Sequence, residues 1–237
     1  MITLLSDERI PGIPVKECGQ PLCETDDGSV LVSAGVATGP SALRAVMLAL
    51  GVGISTGALT LVGQRLLPGQ WNILANSGAV WLVPAFFVAS RMRSLSWAVV
   101  AGAGALVATL LGYYASALLS GIPESAYFIA LWCGVALVAG PLYGAAGSWW
   151  RDARRSRRVL ATALLGGVFV AEGTYLIVTL HYYGSGAAMT AAGVIGTAFL
   201  ARGGKDRVYS LCTLPAAAAL AYAAYQVIAW LALAPAR

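Results

Sequence analysis

Charge is the scarcest property of this 237-residue chain. Only 11% of its residues are charged, with a single histidine, four cysteines and two lysines, whereas about a quarter of the residues in an ordinary soluble domain are charged. Such low charge excludes a soluble globular protein, and a hydrophobic content of 59% excludes an intrinsically disordered one. Four cysteines are too few for a small secreted module held together by disulfides. A polytopic membrane protein remains.

The missing residue types also exclude several chemistries. Lys16 and Lys205 both lie outside the apolar runs, so no lysine is placed to form a Schiff base with retinal. A single histidine, His181, is a poor basis for haem ligation, and the cysteines lack the further ligands of a zinc site. We therefore expect neither a metal nor a cofactor. The net charge of +5 is explained by the basic loops of a membrane protein and predicts no nucleic-acid partner.

Seven apolar runs approach the roughly 20 residues that a helix needs to cross a bilayer core about 30 Å thick. They cover residues 43–63, 71–90, 95–119, 127–149, 159–180, 186–201 and 208–233. Because the sixth run has only 16 residues, six spans with a re-entrant hairpin is the alternative. The sequence thus predicts an all-α fold: a bundle of seven transmembrane helices over residues 41–237, after a polar cytoplasmic tail over residues 1–40.

Basic residues set the predicted orientation, because short loops rich in Lys and Arg stay on the cytoplasmic side. By this topology 13 of the 15 basic residues fall on one side, and only Arg65 and Arg237 fall on the other. We predict a multi-pass protein of the cell membrane with a cytoplasmic N-terminus and an extracytoplasmic C-terminus. Besides the lipid bilayer itself, anionic lipid headgroups are predicted partners of the arginines that follow the fourth run, namely Arg151, Arg154, Arg155, Arg157 and Arg158.

Glu172 is the one carboxylate inside a predicted span, and a carboxylate in hydrocarbon is costly enough to indicate function. It precedes His181 by nine residues, which places it roughly 13 Å below the outer boundary. Further polar side chains fall at similar or shallower depth: Asn76, Tyr113, Tyr114, Tyr175 and Gln226. These residues predict an outward-facing polar cavity around Glu172. In the alternative, a protonated Glu172 only bonds a neighbouring helix through Asn76 or Tyr175.

Small residues four apart predict close contacts between helices, since such residues let two backbones approach. The motifs are Gly53 with Gly57, Gly104 with Ala108 and Gly112, Gly140 with Gly144, and Ala192 with Gly196. Pro84 and Pro141 lie in the middle of predicted spans and are expected to kink them.

Several stretches carry a family resemblance. They are Gly57-x-Leu59-Thr60-x2-Gly63-Gln64-x2-Leu67-Pro68-Gly69, Leu74-Ala75-Asn76-Ser77, Trp81-Leu82, Ala85-Phe86, Gly112-Tyr113-Tyr114, Gly140-Pro141-Leu142-Tyr143-Gly144, Trp149-Trp150-Arg151 and Gly166-Gly167-Val168-Phe169-x-Ala171-Glu172-Gly173-x-Tyr175. Together they resemble a family of small actinobacterial integral membrane proteins catalogued as a domain of unknown function. The resemblance covers about residues 43–235 and supplies no activity. It implies that Gln64, Asn76 and Glu172 belong to the family's pattern, so Gln64 joins the candidate binding residues.

The first 22 residues resemble the opening of bacterial D-alanyl-D-alanine dipeptidases. The zinc ligands of those enzymes have no counterpart in a sequence with one histidine, so no function is carried over.

Three functions remain open from the sequence. The first is binding or transport of a small molecule, a cation or a proton through the cavity around Glu172. The second is an intramembrane enzyme of terpene-cyclase type, in which Glu172 is the catalytic general acid beside the aromatic walls Trp81, Phe86 and Trp132. The third is a non-catalytic scaffold or accessory subunit. Whether the protein is an enzyme stays uncertain at this point.

Overall fold

The structure, a computed structural model, describes residues 40–233 and, from Val46 onward, their side chains. This part of the chain contains eight α-helices, a 3-10 turn at Gly69–Trp71 and no strand. The helices are α1 (Pro40–Leu66), α2 (Asn72–Ala75), α3 (Gly78–Ala89), α4 (Leu95–Leu119), α5 (Ala126–Trp150), α6 (Arg155–Val178), α7 (Tyr183–Leu200) and α8 (Gly204–Ala232). Except for its last residue, the predicted tail over residues 1–40 lies outside the described residues.

Six segments of the described chain are long and apolar enough to cross a membrane. They are Val46–Leu66, Gly69–Ala89, Leu95–Leu119, Ala126–Trp150, Arg155–Val178 and Gly204–Ala232. Their outer faces stay apolar, as at Leu118, whose side chain is 77% exposed, and a soluble protein rarely exposes contiguous apolar surface on this scale. The all-helical, multi-pass prediction is therefore confirmed. The sixth predicted run, residues 186–201, overlaps α7 in all but its last residue, and this 18-residue helix is not among the six segments.

The bundle has one arginine-rich end, which carries the basic loops after α3, α5 and α7. Contacts between these helix ends bring the loops together. The indole Nε1 of Trp150 donates to the carbonyl oxygen of Leu200 at 3.0 Å, which joins the end of α5 to the end of α7. The guanidinium of Arg155 binds Asp206 at 3.0 Å, which joins the first turns of α6 and α8. Because α6 and α8 both begin at this end, α7 runs the full way between the two ends of the bundle.

Asp206 holds the arginine-rich ends of α6 and α8 together. It is buried, and its two carboxylate oxygens accept hydrogen bonds from Nε of Arg155 at 3.0 Å and Nε of Arg158 at 2.9 Å. One turn further along, the hydroxyls of Thr162 and Ser210 lie 2.7 Å apart. These polar pairs fix the register of the two parallel helices at this end of the bundle.

Replacing Asp206 with asparagine is expected to lower stability by about 2 kcal/mol, because breaking a buried ion pair leaves the partner charge uncompensated. For a chain of this size that corresponds to a fall of about 4–8 °C in the unfolding midpoint, measured on the purified full chain in detergent. Asp152→Asn is the matched control, since Asp152 lies at the same end and also binds an arginine but has a more exposed side chain, 22% against 9% for Asp206. Equal losses in the two variants would contradict the role assigned to Asp206.

Glycines let neighbouring helices approach backbone to backbone. A Cβ atom built on Gly102 of α4 would lie 2.5 Å from the carbonyl oxygen of Gly140 in α5, and Gly53 of α1 meets the backbone of Ala105 in α4. Two glycines of the predicted motifs, Gly104 and Gly196, instead face open space. The small-residue motifs thus mark the helices that pack closely, but not every glycine in them lies at a contact.

The second candidate span is discontinuous. It consists of the 3-10 turn, the single helical turn α2 and then α3, with a break at Asn76 and Ser77. The local sequence explains the break, because Asn and Gly favour helix ends while Ser favours an N-cap. Ser77 is the N-cap of α3, and its hydroxyl accepts from the amide of Val80 at 3.2 Å. The break differs from the continuous run predicted over residues 71–90, in which Pro84 is the expected site of a kink.

Candidate functional site

Glu172 lies against the break in the second span. Its Oε2 atom accepts hydrogen bonds from the Ser77 hydroxyl at 2.8 Å, from the Ala79 amide at 2.8 Å and from the Tyr225 hydroxyl at 2.6 Å. The amide of Gly78 also faces this carboxyl group. The side chain is buried, with 5% of its surface exposed. Three segments of chain, α6, α8 and the start of α3, therefore meet at one carboxyl group.

The carboxyl group of Glu172 binds a backbone amide that the break in the second span leaves without a partner in the helix. The first amides of a helix have no partner within it, and in the interior of a membrane water is not available to replace one. Glu172 binds the amide of Ala79, while Ser77 binds that of Val80. A negative or partly negative oxygen is also favoured by the positive end of the α3 dipole. The carboxyl group thus has a structural role as the cap of α3.

Glu172 lies closer to the arginine-poor end than the sequence suggested. Helix α6 ends at Val178, six residues after Glu172, which corresponds to about 9 Å of helix. The estimate of roughly 13 Å assumed that the helix reaches His181. His181 instead lies in the turn between α6 and α7, exposed and with a positive φ of 58°. Glu172 therefore lies between the middle of the bundle and its arginine-poor end.

Aromatic rings surround the partners of Glu172. The rings of Tyr175 and Tyr225 stack with their centroids 6.0 Å apart, so Tyr175 supports the tyrosine that donates to the carboxyl group. Trp81, one turn into α3, packs against Trp132 at 6.4 Å and Tyr113 at 5.7 Å. Its indole Nε1 donates to the hydroxyl of Thr60 at 3.0 Å. Phe86 lies apart from this group, beside Trp150.

A cavity of about 760 Å³ adjoins this cluster. Residues from α3, α4, α5, α6 and α8 line it, including Gly78, Trp81, Trp132, Tyr143 and Tyr225. Almost all of the remaining lining is aliphatic. Glu172 itself does not line the cavity, but Tyr225 does and donates a hydrogen bond to Glu172. We call this space the α5–α8 cavity.

The α5–α8 cavity opens sideways between the two helices that name it. The opening is bordered by apolar side chains that point outward, such as Val138, 72% exposed, and Leu220, 69% exposed. At the arginine-poor end the helices close on each other, where the hydroxyl of Tyr127 donates to the carbonyl oxygen of Leu231 at 2.6 Å. An opening with these apolar borders is suited to contact with hydrocarbon. The sequence had indicated a polar cavity that faces outward to water.

The predicted site residues are only partly brought together. Tyr175 joins Glu172 through Tyr225, and Tyr113 reaches the cavity wall through Trp81. Tyr114 packs on Tyr113 and, like it, lies near Glu124 of the α4–α5 loop.

The other predicted residues lie apart from the carboxyl group. Asn76 is exposed at the break, beside the Ser77 that makes the contact. Gln226 is also exposed, and its amide nitrogen donates to the hydroxyl of Tyr222 at 2.8 Å. Gln64 lies partly buried in the last turns of α1.

Tyr225, which donates the shortest hydrogen bond to Glu172, is not among the residues predicted from the sequence. A signal for it exists in α8. The side chains that face the bundle recur every three or four residues, at Asp206, Ser210, Leu214, Ala217 and Ala221. Tyr225 continues this stripe, whereas Gln226 lies about 100° away from it. Gln226 was predicted because it is polar, but it lies on a different face of α8 from Tyr225.

The site's chemistry is that of a buried carboxyl group with two hydroxyl partners, Ser77 and Tyr225. Within residues 40–233 no cluster of three or more His, Cys, Asp or Glu side chains could hold a metal ion. The hydroxyl of Tyr225 donates to Glu172, so its oxygen keeps lone pairs that can accept a hydrogen bond from a molecule in the α5–α8 cavity. The arrangement therefore suits recognition of a donor group on an otherwise apolar molecule.

Comparison with known proteins assigns the chain to a family. A family model described as a family of unknown function (DUF6518) matches residues 36–231, and the chain belongs to that family. The resemblance drawn from the sequence is confirmed to this extent. No curated protein and no solved structure matches the chain. The actinobacterial origin stays a prediction, as does the dipeptidase-like opening, whose residues 1–22 lie outside the described range.

Proposed function

We propose that this membrane protein binds an apolar small molecule with a hydroxyl or similar donor group, which enters the α5–α8 cavity from the bilayer. One observation carries the proposal: the cavity of about 760 Å³ is aliphatic and aromatic except near Tyr225, whose hydroxyl is bound to Glu172. Ligand cavities commonly have this size and this combination of an apolar lining with few polar groups.

A neutral ligand fits the site better than a cation does. The Oε2 atom of Glu172 already accepts three hydrogen bonds, from Ser77, Ala79 and Tyr225. A cation would have to displace these donors and would lose its hydration shell among aliphatic side chains. We extend the proposal from binding to transport, in which movement of the bound molecule is coupled to exchange of a proton at Glu172. Discontinuous helices beside the binding site are a recurring feature of secondary transporters.

Filling the cavity tests the proposal. Ala223 and Ala224 are exposed neighbours on α8, and only Ala224 lines the cavity. We expect Ala224→Phe to lower labelling of the purified chain by a photoreactive hexadecanol about tenfold, equivalent to about 1.4 kcal/mol, with labelled peptides counted by mass spectrometry. Ala223→Phe is expected to label like the wild type. Equal labelling of the two variants would contradict a ligand in this cavity and favour the scaffold alternative.

A second comparison isolates the polar contact. Tyr225→Phe removes the hydroxyl that we assign to ligand recognition and leaves the ring in place. Labelling by photoreactive hexadecanol is expected to fall, while labelling by the corresponding photoreactive alkane stays unchanged. Parallel changes for the two probes would mean that the site does not recognise a donor group.

An intramembrane enzyme is the second candidate. It is favoured by Trp81 and Trp132, whose rings line the cavity and lie 6.4 Å apart, because aromatic faces stabilise cationic intermediates. Glu172 would be the catalytic general acid. A proton from it would have to reach the cavity through Tyr225, so cyclisation of an apolar substrate should require the tyrosine hydroxyl as well. Retention of cyclase activity by Tyr225→Phe would remove this route.

We further propose seven membrane crossings, with the arginine-rich end in the cytoplasm and the C-terminus outside the cell membrane. The 18 residues of α7 extend about 27 Å, close to the thickness of a bilayer core. Its ends adjoin the same two ends of the bundle that α6 and α8 reach. The positive-inside rule then orients the arginine-bearing loops.

The arginines after α5 differ in their availability to lipid. Arg155 and Arg158 bind Asp206, and Arg157 binds Asp152 at 2.7 Å. The pKa of Asp152 lies below its ordinary value, because its carboxylate accepts from the backbone amide of Arg154 and from the Arg157 side chain. Of the five arginines predicted to contact anionic headgroups, Arg151 and Arg154 keep side chains that no carboxylate of residues 40–233 binds.

A further inference from the structure

A second cavity, of about 990 Å³, lies between α1 and α3, on another face of α3 from the α5–α8 cavity. Its walls are mostly aliphatic and aromatic: Leu48 and Val52 from α1, and Val80, Val83 and Phe87 from α3. At the arginine-rich end its rim is formed by Arg91, Arg151 and Arg202 together with Trp150. We call it the α1–α3 groove.

The three arginines of the rim have no acidic partner within residues 40–233. Both described acids at this end, Asp152 and Asp206, bind other arginines. Arg151 reaches only the carbonyl oxygen of Ser90, at 3.5 Å, and Arg202 lies over the ring of Trp150 with its Cζ atom 5.9 Å from the centroid. The rim therefore carries three positive charges that the described chain leaves uncompensated.

Helix ends reduce this positive charge without cancelling it. The C-termini of α3, α5 and α7 meet at the rim, and each contributes about half a negative charge. The three full positive charges of the guanidinium groups exceed the three partial negative charges of these helix ends. Guanidinium groups also bind phosphate oxygens in pairs, which ammonium groups do not. The charge of the rim thus complements a phosphate-bearing anion.

The groove has the depth of one lipid leaflet. From Val80 to Arg91 the chain advances eleven residues, about 16 Å of helix, and half of a bilayer core measures about 15 Å. An acyl chain that starts at the rim would therefore end near the deep end of the groove. An acidic peptide or a free phosphate would use the rim and leave the apolar walls empty.

We propose that the α1–α3 groove binds one anionic phospholipid of the leaflet at the arginine-rich end. Its phosphate lies among Arg91, Arg151 and Arg202, and one acyl chain follows the apolar wall of α3 beside α1. This site is separate from the α5–α8 cavity, and its proposal does not depend on the function proposed there.

Native mass spectrometry of the full chain in neutral detergent, titrated with dioleoylphosphatidylglycerol, tests the site. We expect the triple variant Arg91→Gln, Arg151→Gln, Arg202→Gln to weaken binding of the first lipid at least about tenfold. The matched control, Arg93→Gln, Lys205→Gln, Arg207→Gln, removes the same charge from exposed residues of the same end and should bind as the wild type does. Equal losses in the two variants, or no binding by the wild type, would overturn the proposal.

A second pair of variants tests the acyl chain. Val52 lines the groove, whereas Leu59 is exposed elsewhere on α1. Val52→Trp should weaken binding of the lipid with all arginines intact, and Leu59→Trp should not. Inorganic phosphate, or a peptide of residues 1–27 with its six acidic side chains, should fail to displace the lipid at equal concentration. Displacement by either would assign the rim to a headgroup-only ligand or to the chain's own acidic segment, and would overturn the proposal.

Discussion

Replacing Glu172 with leucine is expected to lower stability by about 3 kcal/mol or more, among the largest effects of any single substitution in this chain. The change leaves the Ser77 hydroxyl, the Ala79 amide and the Tyr225 hydroxyl without their shared acceptor. An unsatisfied buried donor costs about 1–3 kcal/mol, and here several lie where water cannot replace the lost partner. The expected fall in the unfolding midpoint is about 6–12 °C, measured on the full chain in detergent.

Glu172→Gln separates the cap of α3 from the function of the acid. The amide oxygen can take the place of Oε2 and still accept from the Ala79 amide and from the hydroxyls of Ser77 and Tyr225. We expect this variant to stay folded, with a loss of about 1 kcal/mol. It should nevertheless abolish proton-coupled uptake or cyclisation. Activity at the wild-type level in any assay that detects wild-type function would remove Glu172 from the mechanism.

Glu124→Gln is the control for both Glu172 variants. Glu124 is exposed in the loop between α4 and α5, so its neutralisation is expected to leave the unfolding midpoint unchanged. A large loss there would mean that the Glu172 variants report a general effect of negative charge rather than the cap at α3.

Composition and run length were sufficient to predict the helical bundle, because a chain this apolar satisfies its backbone in a membrane only through helices or a closed barrel. The same reasoning singled out Glu172 as the one acid within a span. The break at Asn76 and Ser77 was harder to foresee. Its polar residues looked like lining for a cavity, whereas Ser77 serves as an N-cap and Glu172 binds the exposed start of α3.

The direction in which each side chain points around its helix could not be predicted from the sequence. Adjacent helical residues point about 100° apart, so Tyr225 can reach Glu172 while Gln226 points outward. Depth along a helix, which the sequence does give, is the same for both. Depth alone therefore could not separate the polar residues that reach Glu172 from those that point away from it. A single sequence contains no pattern that predicts an apolar cavity beside Tyr225.

Glycines of α4 show the same limit at a packing contact. The motif that begins at Gly104 predicted a close approach, but the glycine that meets α5 is Gly102, two residues earlier. Two residues correspond to about 200° around a helix. Helix α4 packs on α1 through Gly112 and on α5 through Gly102, whereas Gly104 lies outside both contact faces and meets open space.

Gly102 and Gly104 make a matched pair for testing the second large effect. Gly102→Leu is expected to cost about 3 kcal/mol or more, because even its Cβ atom would lie 2.5 Å from the backbone of Gly140 and Gly144, which cannot move without separating α4 from α5. Gly104→Leu adds the same side chain to the same helix and should leave stability nearly unchanged. The unfolding midpoint and the monodispersity of the two variants in detergent measure the difference. Similar behaviour of both variants would show that α4 and α5 do not pack through their glycines.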